Sequence, residues 1–299
     1  MKQKFMHITD CLIILAVTVW ALLDFFIIPK TYAQDTAVTA EPVTETAPEP
    51  TAVATAAVTA TSYTDENITI ELKTYRVNNT TVYVADVQLS SIEYLKTAFA
   101  ANTAGRNITA KTSEIASDAN AILAINGDFY GARDRGYVIR NGILYRSASS
   151  GSDQEDLVIH SDGSFAIIQE SETSAETLVS DNVLQVFSFG PGLLENGELL
   201  VGVNDEVDRS MSSNPRTAIA EIEPLHYLFV VSDGRTSESE GLTIYELAQF
   251  LQTLGAKTAY NLDGGGSSTM VFNGQLVNKP TTTGKIKERS VSDIVCISL

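Results

Sequence analysis

Residues 31–64 place the first constraint on how this chain can fold. Ten of them are Thr and nine are Ala, three are Pro (Pro42, Pro48 and Pro50), and none is Lys or Arg. Such a stretch has little apolar surface to bury and is expected to remain extended and solvated. It therefore separates a short leading segment, 1–30, from a long C-terminal piece, 65–299. No second linker-like stretch interrupts 65–299, so that piece reads as a single domain that should fold by itself.

The leading segment carries Lys2 and Lys4 ahead of an apolar run from Cys11 to Ile28, broken only by Asp24. The run is short for a membrane-spanning helix and long for a signal-peptide core. Segment 1–30 is thus an N-terminal membrane anchor or a signal, with Thr31-Tyr32-Ala33 as a weak cleavage site. The two lysines favour the N-terminus inside. The expected location is the cell membrane, single-pass with the domain outside, or secreted if the segment is cleaved. Residues 31–64 would be the tether.

Charge narrows the partners. With 20 Lys+Arg against 37 Asp+Glu, the formal charge is −17, which argues against nucleic acid. The two cysteines, Cys11 and Cys296, provide no disulfide framework. With only three histidines, His7, His160 and His226, they provide no Cys- or His-rich metal centre either.

Within 65–299, β-branched or alternating runs predict strands at 67–75, 81–89, 137–145, 183–189, 217–222, 226–232 and 291–298, and Ala121–Ile125 predicts a short buried strand. Asn141-Gly142, Asn196-Gly197 and Asn273-Gly274 each predict a hairpin with a type I′ turn. A helix is predicted over 243–254, with Thr243 and Glu246 as a capping box, Ile244, Leu247, Ala248 and Leu251 on one face, and Gly255 as its stop. Further helices are expected at 91–99 and 112–119, and 226–262 has the outline of a strand–helix–strand unit. The fold class is α/β or α+β, a single domain with a mixed β-sheet and flanking helices.

Polar residues cluster with glycines just past apolar strands in four places, where α/β proteins place ligands. In Asn126-Gly127-Asp128, Asn126 suits a substrate hydroxyl or phosphate and Asp128 suits acid/base or orienting work; the alternative is an Asx turn. Arg216, opening a strand after Pro215, matches phosphate or carboxylate oxygens, or is a surface arginine. Asp233 and Arg235 leave the end of a buried strand two residues apart, and either act on a ligand or pair with each other. In Asn261-Leu262-Asp263-Gly264-Gly265-Gly266-Ser267-Ser268, Asn261 and Asp263 fall on one side of a strand. The three glycines there would let backbone amides approach an anion. Arginines and a glycine nest suit phosphate, and Asp and Asn suit sugar hydroxyls and proton transfer. Three carboxylates drawn together could instead hold Ca²⁺ or Mg²⁺.

These motifs, with Gly190-Pro191-Gly192, the Gly241-Leu242-Thr243 helix start and Arg289, follow one another in an order that resembles the phosphodiester glycosidase family over about 120–299. The resemblance implies an enzyme that hydrolyses a sugar-1-phosphodiester. It implies Asp263, Asp233 and Asp128 as candidates for nucleophile or general base. Asn126, Arg216, Arg235, Asn261, Gly264, Gly265, Gly266, Ser267 and Arg289 would bind substrate. A cell-wall or exopolysaccharide glycopolymer is the expected substrate, since the domain lacks a disulfide pair and its only candidate anchor is N-terminal. Two other readings stay open: a metal-dependent phosphodiesterase that cleaves P–O, and a non-catalytic module that binds wall glycans.

Overall fold

The computed structural model describes residues 2–32, 56–205 and 213–299, with side chains from residue 13 onward. Most of the stretch expected to be linker, 33–55, lies outside the described residues.

Three sheets share one core. The largest has nine strands, ordered Glu198–Leu199, Gly192–Glu195, Thr258–Leu262, Thr217–Glu223, His226–Ser232, Thr80–Leu89, Ile68–Val77, Ser62–Thr64 and Ala57–Val58. A five-stranded sheet runs Gln275–Leu276, Met270–Phe272, Leu123–Asn126, Asp293–Ile297, Leu95–Phe99. A second runs Ile143–Arg146, Val138–Arg140, Val183–Phe187, Glu155–His160, Phe165–Gln169. Because side chains alternate along a strand, each sheet sends one row inward and one outward. Ile70, Phe229 and Tyr260 from the first sheet, Ile125 and Val295 from the second, and Leu157 and Phe187 from the third meet in a common cluster. The outward rows are covered by one helix each: Ile244–Thr253 over Ala218, Leu228 and Val230, Thr112–Asp118 over Ala124 and Cys296, and Ala175–Ser180 over Val158 and Val186.

Every strand pairing among the described residues is antiparallel, which makes the fold α+β. The strand–helix–strand unit is present, but its strands His226–Ser232 and Thr258–Leu262 flank Thr217–Glu223 and pair with it rather than with each other. All three Asn-Gly turns have positive φ at both residues, and each joins paired strands. The Thr243 hydroxyl accepts from the Glu246 amide at 3.1 Å, and the Glu246 carboxylate accepts from the Thr243 amide at 2.9 Å. The predicted helix at 91–99 is instead a single turn, Ile92–Tyr94, followed by the strand Leu95–Phe99. Pairing with Asp293–Ile297 overrides the local helical pattern there.

The leading segment lies mostly in the helix Lys2–Phe26. Its described side chains Ile13, Ile14, Leu15, Val17 and Trp20 are exposed. Among the described residues no helix is long and apolar enough to cross a membrane. Beyond the helix, Lys30 and Thr31 pair with Arg106 and Gly105.

Strand pairing also enters the stretch read as linker: Ala57–Val58 and Ser62–Thr64 form a hairpin on the edge of the large sheet. Tyr63 is buried in the common core, and its hydroxyl donates to Asp65 at 2.8 Å. A fragment starting at Ala56 is expected to be more stable than one starting at Asp65. Burial of such a side chain is worth about 2 kcal/mol, so calorimetry should place the shorter fragment about 4–8 °C lower in Tm. Equal midpoints would show that the hairpin adds nothing.

Candidate active site

The three sheets converge at their strand ends. Leu123–Asn126 runs out into Gly127 and Asp128, Thr258–Leu262 runs out into Asp263, and Asp293 opens the strand between Leu123–Asn126 and Leu95–Phe99. Val138–Arg140 delivers Arg140 to the same place. The backbone locks these ends together: the Gly127 amide donates to the Asp293 carbonyl at 3.0 Å, and the Asp263 amide to the Gly127 carbonyl at 3.3 Å. Gly127 is required there, because a Cβ would stand 2.3 Å from Asp293 Oδ1.

Asp263 faces a cavity of about 70 Å³, which it lines together with Asp128, Phe129, Asn107 and Ser292. Its Oδ2 accepts from Ser267 Oγ at 2.6 Å and from Arg289 Nη2 at 2.8 Å. Arg289 Nε also donates to Ser267 Oγ at 2.9 Å. Burial raises the Asp263 carboxyl above its ordinary range, and Arg289 and Ser267 oppose the rise. The Arg289 side chain is 41% exposed, so its guanidinium can meet an incoming anion while it holds Asp263. The cavity holds about two waters, so a sugar would have to sit outside it, over the exposed ring of Phe129. Asn107, also on the rim, donates from Nδ2 to the carbonyls of Phe25 and Ile28. The leading segment therefore lies beside the mouth of the cavity.

Asp128 is the second carboxylate of the cavity, and its oxygens are bound. Oδ1 accepts from the Tyr130 amide at 3.0 Å, which is the Asx turn. Oδ2 accepts from the Ser188 amide at 3.1 Å and lies 2.9 Å from Arg140 Nη2. Arg140 Nη2 is also 2.9 Å from Asp293 Oδ2, and all three side chains are fully buried. The guanidinium packs 4.3 Å from the Phe187 ring centre. Burial and the Asp128 charge raise Asp293 against the pull of Arg140. Arg140 and Asp293 were absent from the sequence-predicted set. The signal was present, since each is a charged residue inside a predicted apolar strand, and buried charges are rare unless paired.

The amide residues differ in role. Asn126 serves as an internal strut: Nδ2 donates to the carbonyls of Asp263 (2.7 Å) and Gly127 (3.1 Å), and Oδ1 accepts from Thr217 Oγ1 and the Thr269 amide. Its predicted contact to substrate is replaced by contacts within the protein. Asn261 donates to the Gly190 carbonyl at 2.8 Å, and its buried Oδ1 has no hydrogen-bond partner.

The glycine triplet is a steric key more than an open nest. A Cβ on Gly264 would lie 2.9 Å from the Pro215 carbonyl, one on Gly265 2.9 Å from Arg235 Nη2, and one on Gly266 2.8 Å from Thr282 Oγ1. The amides of Gly265, Ser267 and Ser268 donate to the carbonyls of Pro215, Gly264 and Gly265. Those three amides are therefore committed within the protein. Arg235 lies over Gly265 and donates twice to Asn214 Oδ1, at 3.0 and 2.8 Å. Arg216 is buried beneath the triplet, where its Nε donates to the Leu242 carbonyl at 2.7 Å.

Asp233 lines a different cavity, of about 190 Å³, with Tyr83, Glu238 and Lys279. It accepts from the Lys279 amide at 2.8 Å and from the Tyr83 hydroxyl at 3.2 Å. The three predicted aspartates thus do not share one cavity. Among the described residues no three His, Cys, Asp or Glu side chains are gathered as metal ligands.

A sequence model of the phosphodiester glycosidase family matches residues 119–298, the span that holds Asp128, Arg140, Asp263, Ser267, Arg289 and Asp293. The chain belongs to this family. N-acetylglucosamine-1-phosphodiester alpha-N-acetylglucosaminidase of Mus musculus is 29% identical over 207 residues, 63% of this chain and 40% of that protein. The Homo sapiens enzyme of the same name is 29% identical over 208 residues, with the same coverage. The SPbeta prophage-derived protein YomE of Bacillus subtilis (strain 168) is 28% identical over 184 residues, 60% of this chain and 28% of that protein. The chain thus spans less than half the length of these curated relatives. The fold is shared with the zebrafish N-acetylglucosamine-1-phosphodiester alpha-N-acetylglucosaminidase catalytic domain, auto-inhibited by its pro-peptide. The TM-score is 0.61 at 19% identity, covering 90% of this chain and 87% of that one. A hypothetical protein from Synechocystis shares it too, with a TM-score of 0.55 at 18% identity over 78% and 62%.

Two substitutions separate scaffold from chemistry. Arg140→Met leaves Asp128 and Asp293 buried without a counter-charge and is expected to cost about 3–5 kcal/mol, with part recovered when Asp293→Asn is added. Urea unfolding checks this, and an unchanged midpoint would show the trio to be inert. Asp263→Asn should behave oppositely. The folded pKa of Asp263 is raised, so its charge costs stability at neutral pH and the neutral amide should hold or raise Tm. Its kcat should nevertheless fall at least about 100-fold. A lower Tm with unchanged kcat would make Asp263 a structural cap.

Proposed function

We propose that this chain is an extracytoplasmic hydrolase that cleaves the glycosidic bond of a sugar-1-phosphodiester, with a cell-wall or exopolysaccharide glycopolymer as its substrate. The observation that carries the reading is the Asp263–Ser267–Arg289 group, whose carboxylate lines a small cavity and whose guanidinium is partly exposed to solvent. An Arg fork suits the non-bridging oxygens of a phosphate. Phosphate is a good leaving group from carbon, so the C–O bond needs little protonation. What remains is to stabilise the developing positive charge on the sugar and to deliver water. Asp263 lies where a carboxylate can do either, and the cavity beside it has room for the water.

The location rests on the sequence pattern of the leading segment, Lys2 and Lys4 before the apolar run, and on the exposed apolar side chains of its helix, a surface that calls for cover. A membrane would provide that cover and hold the domain outside the cell. The name shared by the mouse and human relatives supports a GlcNAc-type sugar as the first to test.

The full chain should release free sugar and UDP from UDP-N-acetylglucosamine, and free sugar and a phosphomonoester from a sugar-1-phosphodiester. In ¹⁸O-water the label should enter the sugar, because water attacks carbon. Label in the phosphate would mean P–O cleavage. Binding without turnover across a panel of sugar-1-phosphodiesters would make the chain a glycan-binding module.

A further inference from the structure

Behind Asp128 lies a second buried pair of acids that the proposed chemistry does not use. Asp156, on Glu155–His160, is fully buried, and neither of its carboxyl oxygens has a donor. The register, Asp156 opposite Ile168 and Leu157 opposite Phe187, sets it beside Ser188 and diagonal to Glu170. Glu170 has donors in plenty. Its Oε1 accepts from the Tyr137 amide at 3.1 Å and Ser188 Oγ at 3.0 Å, and its Oε2 from the Ser150 amide at 2.5 Å. Two ionised carboxyls in contact inside a protein repel strongly. The charges acting on Asp156 are those of Glu170 and Asp128, both acids. Tyr137 and Tyr260 also face it, and burial raises both phenols, so they stay neutral. Glu155 adjoins it on the strand, and beyond Asp128 stand Arg140 and Asp293. One proton between Asp156 and Glu170 removes the conflict. Glu170 accepts from three donors and Asp156 from none, so Asp156 is the carboxyl placed to hold the proton.

This pair is wired to the cavity through one residue. The hydroxyl of Ser188 donates to Glu170, and its amide donates to Asp128 Oδ2. Gly136 fits against Ser188, with no room for a Cβ, which would fall 2.4 Å from its Oγ. Displacement of Ser188 would therefore be felt at Asp128.

We propose that Asp156 and Glu170 share one proton, and that this protonated pair is a positioning element that holds Ser188 against Asp128 and sets the alkaline limit of the activity. The activity itself is the one proposed above, and the protonation can be read without it. Burial, with the Glu170 charge, pushes Asp156 up to about 9 from 3.8. The folded chain therefore keeps this proton where the unfolded chain has lost it. The stability it confers is full below 3.8 and is lost as pH rises toward about 9.

The test compares the full-length wild type with Asp156→Asn and Asp156→Ala. An Asn amide can donate to Glu170 at any pH, so D156N should keep kcat/KM near neutrality and lose the alkaline fall that the wild type shows near pH 9. D156A removes the donor and should lower kcat/KM about 10-fold or more at neutral pH. Infrared spectra should show a protonated carboxyl in the wild type that titrates near pH 9 and is missing from D156N. The decline in Tm between acid and alkaline pH should flatten in D156N. An alkaline limb in D156N identical to that of the wild type would overturn the positioning role. The absence of a protonated carboxyl that D156N removes would overturn the shared proton. If no sugar phosphodiester is turned over, or if D156A does not fold, the infrared and Tm comparisons of wild type with D156N still decide the protonation.

Discussion

The buried contact of Arg140 with Asp128 and Asp293 is the constraint on which the site depends. Each member comes from a different strand or strand end, and two of the three sheets contribute. Desolvating three charges is expensive, and only mutual contact makes it tolerable. The arrangement therefore penalises any relative slip of those sheets more steeply than apolar packing would, because packing can adjust by small shifts and an uncompensated buried charge cannot. Gly127 has no Cβ because Asp293 occupies that space, and Asn126 spans the gap to Asp263. The cavity with Asp263 and Arg289 is built outward from this fixed point.

Much of the fold was legible because local chemistry and tertiary structure agree. The Asn-Gly turns need positive φ and have it, and the Thr243–Glu246 capping box starts the helix where the pattern said. The segment 91–99 was not legible. Its helical pattern is satisfied for only one turn before edge pairing with Asp293–Ile297 takes over. The hairpin at 57–64 was hidden because Thr and Ala carry no sign of burial, and only Tyr63 reaches the core. In both places a long-range pairing decided the outcome, and a local window does not contain its partner.

The site was legible as a set of positions more than as a set of roles. Asp263 and Asp128 share a cavity, and Arg289 and Ser267 bind Asp263. Asp233 was read with them because it too ends a buried strand before a glycine, yet the sheet carries that strand end to a different cavity. Asn126 and three amides of the glycine segment looked like ligand donors, and they are spent on the protein itself. Sequence shows which polar groups are available at strand ends. It does not show which the backbone has already claimed.

Three sheets packed on one core, each capped by its own helix, leave no single sheet that could form the cavity alone. Asp263, Asp128 and Ser188 each leave a strand of a different sheet. Catalytic competence is then a reporter on cooperative folding as a whole. A fluctuation that loosens any one sheet dismantles the cavity before it exposes much of the core, so partly unfolded forms of this chain would be silent rather than weakly active.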